Sequence, residues 1–355
     1  MIKRFIVSLI RRGTKGLIKL GIKATPDITL AVFGSVLVAL ILVFAGTRIL
    51  FSETEIISPV NLGPVATPTP NILLANIQKD STIERKYPPN EYFPESLTPK
   101  YGGQLSDVGA VAYGVMNRET GELLLAKNLE KRLPIASLTK VMTAVIALEN
   151  APLDLELSVS SAAAKVGEAS MGLSYKEKLS LEELLYGILL PSGNDAAETV
   201  ANGLGAGRIW FLRKMNEKAQ NLGMYDTYYF NPTGLDEDSQ DTTTFSSVLD
   251  LLGLTNYALG NKKFADLVAT RYKEIPYKEG KHKAFYLENI LKLDSSYPGI
   301  KGVKPGLSDY AGETLISYLD NHEKLIAVVL GSQETKADVV KLYDFILKNK
   351  SNKTN

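Results

Sequence analysis

The sequence predicts an α/β domain in which an antiparallel sheet is covered by helices on both faces, preceded by an N-terminal transmembrane helix. Three observations lead there. Strand-like stretches open and close the C-terminal part of the chain, with helical apolar stripes between them. Residues 28–47 carry no charged side chain. Eight of the sixteen prolines fall between residues 52 and 100, which separates the apolar run from the globular part.

Residues 1–27 read as a basic cytoplasmic N-terminus. Lys3, Arg4, Arg11, Arg12, Lys15, Lys19 and Lys23 precede the first acid, Asp27. The run Ile28 to Thr47 has twenty residues, and at ~1.5 Å rise each a helix of that length spans a bilayer core of ~30 Å. The basic flank places the N-terminus inside and the rest of the chain outside, a single-pass membrane protein. The alternative is a secreted protein cleaved near Ala45. Residues 48–103 form a proline-rich extracytoplasmic linker, because Pro59, Pro64, Pro68, Pro70, Pro88, Pro89, Pro94 and Pro99 interrupt any helix and favour extended chain. Residues 104–349 form the globular domain, and 350–355 a tail.

Within the domain, 109–116 and 123–126 read as strands joined by a turn at 117–121. Ser137 to Glu149 is a helix, with apolar residues at 138, 141, 142, 145, 146 and 148, ended by Pro152. Ser180-Leu-Glu-Glu183 is a capping box opening a short helix that stops at Pro191. Further helices are expected at 195–202, 209–222 (closed by Gly223) and 244–259. Residues 313–319 and 324–330 read as strands, and 336–348 as a last helix.

Composition excludes several chemistries. Among 355 residues there is no cysteine and there are two histidines, His282 and His322. That removes thiol catalysis, cysteine-bound metals and a three-histidine metal site. Both histidines lie in polar contexts and read as solvated turn residues, so a proton carrier must be a lysine or a carboxylate. The net charge of +1 conceals seven cationic residues at the N-terminus and a net-acidic remainder, which is not the footprint of a nucleic-acid-binding domain.

Three short motifs follow in order. Ser137-Leu-Thr-Lys140 is the only Ser-x-x-Lys, and positions three apart share a helix face, so hydroxyl and amine can meet. A serine hydroxyl becomes a nucleophile when a base takes its proton, and lysine is that base once burial or a cationic neighbour lowers its pKa. Alone, the same pattern is an N-cap serine followed by an exposed lysine. Ser192-Gly193-Asn194 supplies a relay hydroxyl and an amide, or else a turn that caps the next helix. Lys304-Pro305-Gly306-Leu307-Ser308 supplies a second cation and a glycine that admits a close backbone approach, or else a loop with a solvated lysine.

In that order these motifs resemble the penicillin-binding proteins and serine β-lactamases. The flanks 136–144, 184–197 and 231–236 are most similar to the D-alanyl-D-alanine carboxypeptidases among low-molecular-weight penicillin-binding proteins. The resemblance implies the β-lactamase/transpeptidase-like fold, Ser137 as acylated nucleophile, Lys140 as its base, Ser192 and Asn194 as relay and substrate contact, and Lys304 as the third-motif cation. It implies an oxyanion hole from the N–H groups of Ser137 and Leu307, next to Gly306. The family's cation for the substrate carboxylate, usually arginine, falls at Lys324. The implied partners are a peptidoglycan stem peptide ending in D-Ala-D-Ala and β-lactam antibiotics as covalent inhibitors, with no metal or cofactor.

The chain departs from the family's Lys-Thr-Gly by placing Pro305 at the threonine. Ser308 is expected to supply the missing hydroxyl. Two alternatives stay open: a D,D-endopeptidase of the same family, and an inactive membrane-tethered cell-wall-binding module. A class A β-lactamase fits less well, because it carries Ser-Asp-Asn at the second motif and a deacylating Glu-x-x-Leu-Asn segment.

Overall fold

The structure, a computed structural model, describes residues 91–102, 105–292 and 297–351. The expected basic tail, transmembrane helix and most of the linker lie outside the described residues, as do residues 352–355. Among the described residues no helix is long and apolar enough to cross a membrane.

In chain order the strands are β1 (Ala112–Asn117), β2 (Leu123–Lys127), β3 (Leu133–Pro134), β4 (Glu156–Ser158), β5 (Lys178–Ser180), β6 (Phe245–Ser246), β7 (Tyr272–Ile275), β8 (Phe285–Glu288), β9 (Ile300–Ser308), β10 (Gly312–Asp320) and β11 (Lys324–Ser332). The α-helices are α1 (Thr139–Asn150), α2 (Leu181–Leu189), α3 (Asn194–Gly203), α4 (Arg208–Leu222), α5 (Val248–Gly260), α6 (Lys262–Ala269) and α7 (Thr335–Ser351).

The main sheet has the order β2-β1-β11-β10-β9, and every neighbouring pair is antiparallel. Period-2 alternation sorts its side chains to two sides. Met116, Ile316, Ile326 and Val328 join one apolar cluster with residues of α1, α2, α3 and α5. Val115, Leu315, Ala327 and Val329 join a second cluster with Leu342, Tyr343 and Ile346 of α7. Both faces are therefore covered by helices.

Local signals account for the helix boundaries. Ser180 accepts from Glu183 N at 3.3 Å while Glu183 Oε2 accepts from Ser180 N at 2.7 Å, so the capping box forms as the sequence indicates. Gly223 closes α4 in the left-handed conformation, φ 80°, where glycine carries no Cβ penalty. Helix α5 starts later than its apolar pattern indicates. Phe245–Ser246 instead pairs with β3, and Ser247 caps the helix by accepting from Asp250 N at 3.2 Å.

Two features differ from expectation. Described residues before 104 pack into the domain. Phe93 is buried in the main cluster, Lys100 N donates to Leu123 O at 2.9 Å, and Tyr101 N donates to Leu124 O at 3.0 Å. Prolines 94 and 99 give this segment the composition of a linker, but its backbone N–H groups dock on β2 and the turn before it. His282 is not solvated. Its side chain is buried, Nδ1 lies 2.8 Å from Lys283 O, and the ring packs near Phe285. The flanking lysines gave it a surface context, but they turn outward to Glu156 and Glu177 while the imidazole turns inward. His322 is exposed, as expected.

Gly253 lies directly beneath the Phe93 ring: a Cβ there would fall 2.5 Å from it. Phe93→Ala is expected to destabilise the domain by about 3–5 kcal/mol, read from urea unfolding. A change below about 0.5 kcal/mol would show that the segment is not part of the fold.

Candidate active site

The first motif lies on a tight 3-10 turn, Ala136–Leu138, leading straight into α1. Ala136 has φ 46°, a strained value for a residue with a Cβ and one that persists only when surrounding contacts fix it. Those contacts are present. Thr139 Oγ1 donates to Ala136 O at 2.8 Å and Thr314 Oγ1 donates to Ile135 O at 3.2 Å. Gly234 passes so close that a Cβ there would lie 1.8 Å from Ala136 O.

One helical turn on, the Lys140 side chain is fully buried. Its Nζ lies 2.9 Å from Ser137 Oγ and donates to Asn194 Oδ1 and Thr233 O, each at 2.7 Å. Burial is the largest cause pushing its pKa well below the usual lysine value, followed by the charge of Lys304, while Glu168 and Asp195 act in the opposite sense. A neutral amine has two N–H bonds and one lone pair. When the amine is neutral and its two N–H bonds go to Asn194 and Thr233, its lone pair is left for the Ser137 hydroxyl.

The second motif occupies the turn between α2 and α3. Ser192 adopts φ 66°, and its Oγ donates to Ser137 Oγ at 3.0 Å. Asn194 is buried, with Oδ1 on Lys140 and Nδ2 donating to Gly167 O at 3.0 Å. Its amide thus holds the lysine and the neighbouring loop. Asp195, beside it, pins the same loop: it accepts from Met171 N, Gly172 N and Leu173 N at 2.8–3.0 Å and from Ser170 Oγ at 2.6 Å.

The third motif is an edge strand rather than a loop. Lys304, Pro305 and Gly306 face Ile316, Leu315 and Thr314 of β10, and an edge tolerates the N–H that proline lacks. Lys304 is fully buried, donates to Pro305 O at 2.9 Å and has its pKa lowered by burial to about 7. A Cβ on Gly306 would stand 3.0 Å from Ser137 N, so glycine keeps the space before that N–H open. Leu307 is exposed on the cleft wall.

Two expected residues are placed elsewhere. Ser308 Oγ donates to Asp236 Oδ1 at 2.8 Å, and Tyr310 N donates to the other carboxylate oxygen at 2.9 Å, so this hydroxyl clamps the β9–β10 turn. Lys324 starts β11 opposite Asp320 and pairs with Glu119 at 2.7 Å. Asp320 is six positions along β10 from Thr314, which is ~20 Å of strand. Among the described residues, the cation that lines the cleft with Ser137, Ser192, Asn194, Gly306 and Leu307 is Lys336 in the first turn of α7. A lysine there opposes the helix dipole, and that misfit was the available sequence signal. Its Nζ donates to Leu291 O at 3.1 Å. The cleft holds ≈ 700 Å³.

The chain matches the D-alanyl-D-alanine carboxypeptidase family, peptidase S11, over residues 99–334. It is 31% identical to D-alanyl-D-alanine carboxypeptidase DacF of Bacillus subtilis over 265 residues, covering 72% of this chain and 67% of that protein. It is 30% identical to a D-alanyl-D-alanine carboxypeptidase of Streptomyces sp. K15 over 273 residues, 70% of this chain and 92% of the relative. Among solved structures, the Streptomyces K15 DD-transpeptidase superposes with TM-score 0.62 at 29% identity, over 69% of this chain and 100% of that one. A D-alanyl-D-alanine carboxypeptidase of Mycobacterium tuberculosis gives TM-score 0.64 at 26% identity, over 71% and 96%. With its fold, its serine–lysine pair and these relatives in agreement, the chain belongs to the D-alanyl-D-alanine carboxypeptidase family of serine hydrolases.

Proposed function

We propose that this protein is a membrane-anchored D,D-carboxypeptidase that removes the terminal D-alanine of peptidoglycan stem peptides through an acyl-enzyme on Ser137. The observation that carries the reading is the buried Lys140 amine held 2.9 Å from Ser137 Oγ by two fixed acceptors. Lys140 takes the hydroxyl proton, and Ser137 Oγ attacks the carbonyl of the penultimate D-alanine. The N–H groups of Ser137 and Leu307 receive the oxyanion. Ser192, bonded to Ser137 Oγ, passes a proton to the leaving amine. Water then hydrolyses the ester. The charge of Lys304 favours the neutral form of Lys140. The anchor rests on the apolar run at 28–47, and the extracytoplasmic placement on the basic residues before it.

Removal of a terminal residue, as opposed to internal cleavage, is favoured by Lys336. It faces the cleft that Gly306 and Leu307 wall and offers a cation to the terminal carboxylate, the part proposed on sequence grounds for Lys324. Endopeptidase activity is the second reading, since a relative from Haemophilus influenzae, 34% identical over 165 residues, is named D-alanyl-D-alanine endopeptidase. An inactive binding module is the third, because of Pro305.

Labelled penicillin separates the enzyme from the inactive module. The full-length protein is expected to form a covalent adduct on Ser137, and Ser137→Ala none while keeping its circular-dichroism spectrum. A wild-type protein with no adduct at saturating label overturns the reading. Pro305→Thr restores a hydroxyl on the cleft wall and is expected to raise kcat/KM for D-alanine release about tenfold, the scale of one hydrogen bond to a charged group. An unchanged kcat/KM would show that Pro305 does not limit the reaction.

A further inference from the structure

The cleft carries charged side chains that the reaction above does not use, and one of them stands apart. Glu168 lines the cleft beside Ser192 and Asn194. Its position is fixed from both sides by one residue: Asn194 Nδ2 donates to Gly167 O at 3.0 Å, and Asn194 N donates to Ala169 O at 2.8 Å. Asp195 holds the next four residues of the same loop. Glu168 stands at the crest of this clamped segment with φ 63°, a conformation that disfavours side chains and persists where its surroundings over-determine it. The side chain is exposed, and no hydrogen bond or ion pair from a described residue reaches its carboxylate. It is close enough to Lys140 to act on its charge, in opposition to burial and Lys304.

The other carboxylates on the cleft are differently placed. Glu313 is taken by Thr335, whose N and Oγ1 both donate to it at 3.1 Å. Glu334 adjoins Thr335 and Lys336, on the wall where the leaving D-alanine's carboxylate is received. Of the described carboxylates that line the cleft, Glu168 is the one on the loop held by Asn194. On the proposed carboxypeptidase reading, on which this inference rests, Lys336 marks the leaving end of the bound peptide. The retained acyl portion then runs past Asn194 toward Glu168.

We propose that Glu168 is a specificity-determining residue that binds a free, cationic side-chain amine on the residue preceding D-Ala-D-Ala. A stem peptide that has served as the acceptor in a cross-link has spent that amine in an amide, so it offers no cation to the carboxylate. The protein thereby favours uncross-linked stem peptides. Within the wall it acts ahead of the amide-forming reaction that would consume the same amine.

The probes are Nα-acetyl-L-Lys-D-Ala-D-Ala, with a free ε-amine, and its Nα,Nε-diacetyl counterpart. Their binding is measured on the full-length Ser137→Ala protein, with and without Glu168→Gln, so that affinity is read without turnover. The free-amine peptide is expected to bind about fivefold tighter, the scale of one exposed ion pair. The preference shrinks as salt rises, disappears in Glu168→Gln and reverses in Glu168→Lys. Equal binding of the two peptides by Ser137→Ala, a preference that survives Glu168→Gln, or binding of neither peptide overturns the proposal. D-alanine release is measured separately on the wild-type protein, so its absence would sink the carboxypeptidase reading and leave the amine preference to be judged by binding. If Glu168→Gln instead slows hydrolysis of the penicillin adduct and leaves the amine preference intact, the carboxylate handles water or protons, and the specificity role is wrong.

Discussion

Burying an amine without leaving it charged is the constraint on which this site depends. Water stabilises an ammonium far better than a protein interior does, so a fully buried lysine is driven toward its neutral form. Lys140 is such a lysine, and its two nearest fixed acceptors, Asn194 Oδ1 and Thr233 O, come from separate parts of the chain. Each is held by its own scaffold. Asn231 accepts from Thr233 N at 3.1 Å and Gly234 N at 2.7 Å to shape the turn that offers Thr233 O. Asn194 is fixed at the start of α3. The serine–lysine pair is thus local in sequence, but its protonation state is set by long-range packing.

The same packing holds strained backbone in place around the cleft. Ala136, Glu168 and Ser192 all have left-handed φ values, each costing roughly 1–3 kcal/mol. Two segments absorb the cost. Residues 231–236 brace the first motif through Gly234 and clamp the end of β9 through Asp236, which accepts from Ser308 and Tyr310. The loop at 167–173 is tied to Asn194 and Asp195. The three motifs are therefore connected to one another through these two loops as well as through the sheet.

Much of this was legible in the sequence, for identifiable reasons. Ser137 with Lys140, and Ser192 with Asn194, keep short fixed spacings on a helix and at a helix start, so local geometry decides which groups meet. The capping box at Ser180 and the glycine stop at Gly223 are likewise local. What escaped depends on topology. Lys336 reaches the cleft because β11 returns beside β10 and α7 begins where β11 ends, whereas Lys324 sits at the opposite end of the same strand. By sequence Ser308 is placed to offer its hydroxyl to substrate, but its partner Asp236 lies 72 positions earlier. His282 has charged neighbours and a buried ring, which no window of neighbouring residues reveals. Helix α6 and the β7–β8 hairpin are short and flanked by lysines, so their apolar faces are too brief to stand out as periodic.

The measurement that tests the account most directly is the titration of Lys140, followed by NMR of 13Cε-labelled lysine and assigned with Lys140→Arg. The expected result is a resonance that titrates well below the ordinary lysine value of about 10.4. In Lys304→Gln the loss of the neighbouring cation moves that titration upward. The sign extends to stability. An amine whose pKa is depressed by folding binds fewer protons than in the unfolded chain, so stability rises with pH between the depressed value and the ordinary one. A Lys140 resonance that titrates near 10.4 in the folded protein would contradict the account, because no neutral amine would then be present to activate Ser137.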